Sequence, residues 1–239
     1  MIGAQGVFQR YEKKYLLNAE QYRALRDGFQ PYLEADQYGK STICNSYFDT
    51  PTHQLIRNSL EKPVYKEKLR LRSYGTPQPD TEVFVELKKK YKKVVYKRRI
   101  QMPLRQAQAY LYCNERTENP AQIQKEIDWF LDYYPGIAPA MYLSYDRIAL
   151  RGIEDPSVRV TFDSTIQWRE TDLLLTEGSW GKQILEPGQR LMEIKIAGAM
   201  PLWMSWMLSE NGVFPTSFSK YGKAYLQSAE SKKGLIICA

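Results

Sequence analysis

Residues 65–75 read YKEKLRLRSYG. Successive side chains of a β-strand point to opposite faces, so this stretch sorts into two rows. Lys66, Lys68, Arg70 and Arg72 fall on one side, and Tyr65, Glu67, Leu69 and Leu71 on the other. Neighbouring cations in such a row lie about 6.6 Å apart, where they repel by roughly 2.5 kcal/mol per pair at an effective dielectric of 20 and by about 0.6 kcal/mol in bulk water. Two readings are open: a fully solvated outer face that discourages edge-to-edge pairing, or a surface that repels itself until a polyanion covers it.

Working outward, period-two alternation recurs at 7–17, 43–49, 64–74, 81–89, 93–101, 140–150, 157–163 and 189–197, which predicts about eight strands. Helical spacing marks 19–30 with Asn18 as its cap, 103–116, 120–132, 201–210 opened by Pro201, and 217–228. The fold class is therefore α+β, with an antiparallel sheet large enough to curl or close into a barrel. The polar rows are alike from strand to strand: Arg10, Glu12 and Lys14; Glu82, Glu86 and Lys88; Lys97 and Arg99; Tyr145 and Arg147; Arg159, Thr161 and Asp163; Glu193 and Lys195. No linker or repeat divides the chain, so a single domain over 1–239 is the simplest account.

The 239 residues carry 34 Lys and Arg against 27 Asp and Glu, a formal charge of +7 that favours an anionic partner. Cys44, Cys113 and Cys238 form no CxxC pair, which argues against a disulfide framework or a zinc site and for a reducing cytoplasm. No signal peptide or membrane-spanning apolar run is visible. His53 is the only histidine, so triad and zinc-type centres lose most of their support. Neither a Walker-type loop nor a Gly-x-Gly-x-x-Gly motif is present. The KKKYKK run at 88–93 reads as a turn between strands rather than a nucleic-acid patch, and Phe84 and Tyr145 are the few aromatics among the bases that could stack on a nucleobase. The segment 200–212, MPLWMSWMLSENG, has apolar residues at helical spacing and reads as core or plug packing, or as a partner-docking helix. In YFDT (47–50), Tyr47, Phe48 and Asp49 read as the end of a strand.

In order and spacing, RYEKKY (10–15), YFDT (47–50), KLRLRSYG (68–75), FVELKKK (84–90), YKRRI (96–100), SYDRIAL (144–150), VRVTFD (158–163), MEIKI (192–196) and SFSKYGKAY (217–225) resemble the VTC domain. That is the polyphosphate-polymerase domain of the vacuolar transporter chaperone family, within the triphosphate tunnel metalloenzyme (CYTH-like) superfamily. The resemblance implies a closed eight-stranded antiparallel β-barrel with the charged rows inside and flanking helices outside. It implies transfer of the γ-phosphate of ATP to a growing polyphosphate chain, with hydrolysis of inorganic or nucleoside triphosphate on the same tunnel, or binding of polyphosphate or inositol polyphosphate without turnover, as alternatives. Carried over position by position, Arg70, Arg72, Lys88, Arg147 and Lys220 become catalytic, and Arg10, Lys14, Lys68, Lys97, Arg99, Lys195 and Ser219 bind substrate. Glu193, Glu12 and Glu86 become ligands for Mn²⁺ or Mg²⁺. Where the wider superfamily reads Glu-x-Glu-x-Lys, this chain reads Arg10-x-Glu12-x-Lys14, an exchange shared with VTC domains. The partners implied are ATP and polyphosphate or triphosphate, not nucleic acid; fungal relatives act within a membrane complex, so a membrane partner protein stays open.

Overall fold

The computed structural model describes residues 11–92 and 94–237; Arg10 and Cys238, both singled out above, lie outside them. The elements run β1 (Tyr11–Leu17), α1 (Ala19–Gly28), β2 (Leu33–Asp49), α2 (Gln54–Leu60), β3 (Tyr65–Tyr74), β4 (Glu82–Tyr91) and β5 (Val94–Pro103). They continue with α3 (Leu104–Tyr112), α4 (Gln122–Tyr133), β6 (Ala138–Gly152), β7 (Arg159–Arg169), β8 (Lys182–Gln183), β9 (Arg190–Ile196), α5 (Leu202–Glu210) and α6 (Lys220–Ile237). Among the described residues, no helix is long and apolar enough to cross a membrane.

The class is α+β, and each of the eight expected strands is present. The expected closed barrel is not. The strands pair in the order β1-β9-β7-β6-β2-β3-β4-β5, with the two-residue β8 added on β7, so the sheet has nine strands and ends in β1 on one side and β5 on the other. The outer end strand β5 begins with exposed Val94, Val95, Tyr96 and Lys97 and carries Lys97, Arg98 and Arg99 in succession. Consecutive cations on an edge strand oppose further pairing.

The chain gathers into two compact units. The first comprises residues up to Ser41 with Asp146–Thr165 and Leu185–Phe218; the second comprises Thr42–Tyr145, Ile166–Ile184 and the residues from Ser219. In the first, Tyr15, Leu17, Val160, Phe162, Met192 and Ile194 turn one face of β1, β7 and β9 into a core. It is covered by α1 through Leu25 and by α5 through Met204 and Leu208. Asn18 caps α1 as expected, in a reciprocal box with Gln21. The tryptophan-rich 200–212 stretch packs as core: Trp203 stacks on Tyr32 with ring centroids 4.1 Å apart and meets Phe29 edge-on.

The second unit is built on the opening stretch. Leu69 and Leu71 of β3 are fully buried beside Val83, Val85 and Leu87 of β4, under α3 and α4. The other face of the same strands is left to the bases. A helix not anticipated from the sequence, α2, is held by Asp49, whose carboxylate accepts the backbone N–H groups of Thr50, Leu55 and Ile56 and the hydroxyl of Tyr221 at 2.8–3.0 Å. Asp49→Ala leaves those buried donors orphaned and is expected to cost about 2–4 kcal/mol, read as a lower urea midpoint.

Candidate functional site

The ladders of β2, β3, β4 and β5 bring the polar residues of the second unit into rows. Asn45, Arg72, Phe84 and Gln101 form one row; Tyr47, Arg70, Glu86 and Arg99 the next; Lys68, Lys88 and Lys97 a third; and Lys66 and Lys90 a fourth. Directly opposed side chains on one face approach closely, and like charges there are destabilising. Across these rows Glu86 is the one carboxylate, set among eight named cations.

Glu86 is 1% exposed and gathers the charges around it. Its Oε2 accepts Arg70 Nε at 2.8 Å and NH2 at 2.6 Å, with Arg72 NH1 at 3.8 Å. Its Oε1 accepts Lys97 Nζ at 2.7 Å and Arg99 Nε at 2.6 Å. Burial alone would raise this carboxyl; the fields of Arg70, Arg72 and Lys97 outweigh it and hold the group far below the usual carboxylate range. With both oxygens occupied by cationic donors, Glu86 acts as a counter-charge that fixes the arginines. Lys97 is pulled down, first by desolvation, with Glu86 offsetting part of the shift.

The arginines also lean on aromatic groups. Arg70 NH1 donates to Tyr47 Oη at 3.0 Å, and Arg72 donates to Asn45 Oδ1 at 2.9 Å and to Tyr145 Oη at 3.2 Å. The Arg99 guanidinium lies over the Phe84 ring at 4.4 Å, and Lys220 Nζ lies over the Tyr145 ring at 4.3 Å. Ser219 caps α6 by accepting the Gly222 N–H at 3.2 Å and also accepts Lys68 Nζ at 3.1 Å. The start of this helix thus joins Lys68 of the rows and one further cation, Lys220, to an N-terminus that itself favours anions. Lys68, Arg70, Arg72, Lys88, Lys97, Arg99, Ser219 and Lys220 are therefore placed on or beside one surface of one unit.

The first unit carries a second polar face. Lys14, Glu193 and Thr161 form one cross-strand row and Glu12, Lys195 and Arg159 the next. Opposite charges neighbour one another across β1 and β9: Lys195 Nζ lies 2.5 Å from Glu193, Lys14 Nζ lies 3.3 Å from Glu12 and 4.0 Å from Glu193, and Lys14 also donates to the Phe218 carbonyl. Arg147 makes a two-pronged pair with fully buried Asp163, Nε to Oδ1 at 2.7 Å and NH2 to Oδ2 at 2.8 Å. Among the described residues no group of three His, Cys, Asp or Glu is arranged to hold a metal. Glu193 nevertheless suits a hard divalent ion. Its side chain is 9% exposed, and the register partner Thr161 has a buried hydroxyl with no hydrogen-bond partner. Mg²⁺-type sites need only one or two protein oxygens when phosphate and water complete the shell.

Three residues near these faces were not legible as site residues: Tyr47, Asn45 and Thr161. The signal available was parity, since Asn45 and Tyr47 alternate with Cys44, Ser46 and Phe48 along β2. His53 instead opens α2 in a left-handed conformation, φ 54°.

The family model for the VTC domain matches residues 9–229. Similar solved structures include a candidate adenylate cyclase from Bacillus halodurans, 14% identical over 87% of this chain and 92% of that one, TM-score 0.54. A candidate adenylyl cyclase from Hippeastrum, described as having a dominant triphosphatase activity, is 15% identical over 92% and 96%, TM-score 0.56. A candidate adenylate cyclase from Vibrio parahaemolyticus is 13% identical over 92% and 99%, TM-score 0.53. At these identities the likeness is one of fold. No curated protein matches the sequence.

Proposed function

Because the chain belongs to the VTC-domain family, with a match covering residues 9–229, we propose that it is an ATP:polyphosphate phosphotransferase whose cation rows hold the phosphate chain. One observation carries the reading: Lys68, Lys88 and Lys97 stand directly opposite one another on three paired strands, beside arginines locked by Glu86. A fold keeps such a mutually repelling row at a cost in stability, and a polyanion relieves that cost. Phosphoryl transfer asks for in-line positioning and neutralisation of spreading negative charge more than for covalent chemistry. Arg70 and Arg72, each fixed by two or more partners, suit oriented grips on phosphate oxygens; Lys68, Lys88 and Lys220 suit point-charge contacts that let a chain advance. Lys97 and Arg99 hold the Glu86 counter-charge and add to the field. Taken by itself, the polar face of the first unit carries Lys14, Lys195 and Arg147 as cations, and there Glu193, with Glu12 and the Thr161 hydroxyl, would hold Mg²⁺ or Mn²⁺. When bound, such an ion neutralises phosphate charge and polarises the transferring group.

Triphosphate hydrolysis is the second reading, favoured by the triphosphatase activity described for the Hippeastrum neighbour of similar fold. Incubation with ATP and Mn²⁺ or Mg²⁺, followed by a polyphosphate-stained gel and assays for ADP and free phosphate, separates the two. Polymer with ADP is the expected result. Free phosphate without polymer replaces the polymerase by a hydrolase, and binding of added polyphosphate with neither product leaves a non-catalytic binding domain.

A further inference from the structure

The row of Arg70, Glu86 and Arg99 also contains an uncharged hydroxyl, that of Tyr47. Tyr47 is 8% exposed at the end of β2, and its ring stacks on Tyr221 of α6 with centroids 4.6 Å apart. Tyr221 is in turn tied through its hydroxyl to Asp49, the residue that holds α2. The ring is thus clamped from behind, while its Oη accepts a hydrogen bond from Arg70 at 3.0 Å. A phenol that accepts through oxygen keeps its own proton to donate elsewhere.

We propose that Tyr47 is a proton-carrying residue of the phosphate-binding face: in alkaline solution a condensed phosphate anion binds together with a proton from solvent, taken up at Tyr47 Oη and presented to a phosphate oxygen. This rests on the reading of the cation rows as a phosphate-binding surface. The step balances: phenolate Oη plus one proton gives the phenol, which then donates a hydrogen bond, and no covalent bond to phosphorus changes.

The electrostatic setting supports it. Burial by itself would raise the Tyr47 phenol, but Arg70, Arg72 and Lys68 on β3 outweigh burial and bring it down to about 8. Further ionisable groups on the surrounding elements are Glu86 on β4, which faces Arg70, Lys88 and Lys97 in the adjacent row of β4 and β5, Tyr145 on β6, which accepts from Arg72 and lies under Lys220 of α6, and Tyr221 and Asp49, which lie behind the ring. Burial, Asp49 and Tyr47 itself push Tyr221 upward, so it stays protonated while Tyr47 titrates. Above about pH 8 the phenolate serves as an internal anion among the cations of the empty site, and below that the group is the neutral phenol. An arriving polyanion cancels the fields that stabilised it, so the Tyr47 pKa climbs and a proton is captured wherever the free site was ionised. By linkage, affinity for the anion then falls with pH above about 8 and is insensitive to Tyr47 below about pH 7.

The test uses the intact protein and inorganic tripolyphosphate without added metal. At pH 9, addition of tripolyphosphate to the wild type is expected to remove tyrosinate absorbance near 295 nm, by a large fraction of one phenolate per chain, with little change at pH 6.5. Tyr47→Phe, which keeps the ring and its stack, is expected to bind tripolyphosphate with no absorbance loss. Its affinity should also lose the extra decline, approaching tenfold per pH unit, that the wild type shows above pH 8. Binding by the wild type at pH 9 with unchanged tyrosinate absorbance overturns the proposal and leaves the phosphate-binding reading standing. Absence of tripolyphosphate binding at both pH values overturns both. The wild-type measurement decides the question even if the variant is destabilised.

Discussion

Glu86→Gln is expected to lower the free energy of unfolding by about 3–5 kcal/mol, because it removes one member of a buried ionic cluster and leaves the opposite charges uncompensated. For a chain of this size that corresponds to a fall of about 10 °C in melting temperature. The amide can accept from one or two of the donors that now converge on the carboxylate, but it cannot balance Arg70, Arg72, Lys97 and Arg99. The pH dependence has a defined sign. The folded-state pKa of Glu86 is depressed, so its contribution is fully present above the unfolded carboxylate value of about 4.3 and is lost only as pH falls below that towards the folded value. The wild type should therefore keep its advantage over the Gln variant from neutral pH to about 4.5, and the two curves should converge in stronger acid. If the cation rows bind phosphate, tripolyphosphate should raise the melting temperature of Glu86→Gln by more than that of the wild type, because an external anion then replaces the missing one. Equal increments would mean that the anion and Glu86 do not share the same cations.

The opening stretch shows what could be read from sequence and what could not. Parity alone placed Leu69 and Leu71 in the core and Lys68, Arg70 and Arg72 on the other face, because a period of two is a property of the strand itself. Asn18 was legible as a cap for the same local reason. The register was not. That Lys68, Lys88 and Lys97 share a row, and that Glu86 falls between Arg70 and Arg99, depends on which residues of separate strands pair, and nothing within one strand encodes it. Glu86 enters the sequence reading as a metal ligand through the family resemblance alone, and its four cationic neighbours come only with the register. The open ends of the sheet were hidden in the same way, since alternation in β1 and β5 is indifferent to whether another strand continues the ladder. Tyr47 was passed over because a tyrosine near a strand end usually packs; only its contact with Arg70, 23 residues away, gives it another role. The first ten residues of β2, 33–42, are polar and glycine-containing and show no alternation, so their strand character comes from the neighbours rather than from propensity.

Arg70→Ala, made on the other side of the same ion pair, is expected to behave in the opposite way to Glu86→Gln. It should reduce phosphoryl-transfer turnover by at least about 10² while changing stability by little. Loss of the arginine does not orphan the carboxylate, because Oε1 keeps Lys97 and Arg99 and Oε2 keeps Arg72 nearby, and it relieves repulsion between neighbours in the row. What disappears is a guanidinium whose Nε and NH2 are fixed by Glu86 and whose NH1 is fixed by Tyr47. A group held at three points costs no reorganisation when charge develops on a transferring phosphate, and a mobile replacement cannot match it. Arg70→Lys should accordingly rescue little: an ammonium restores the charge but not the fork that spans both partners. ADP release from ATP in the presence of polyphosphate, set beside melting curves for the three variants, reads both effects at once. Turnover near wild type in Arg70→Ala would take β3 out of the active surface. A melting point as low as that of Glu86→Gln would show that the cluster serves the fold first and that its positive charge is not held in reserve for an anion.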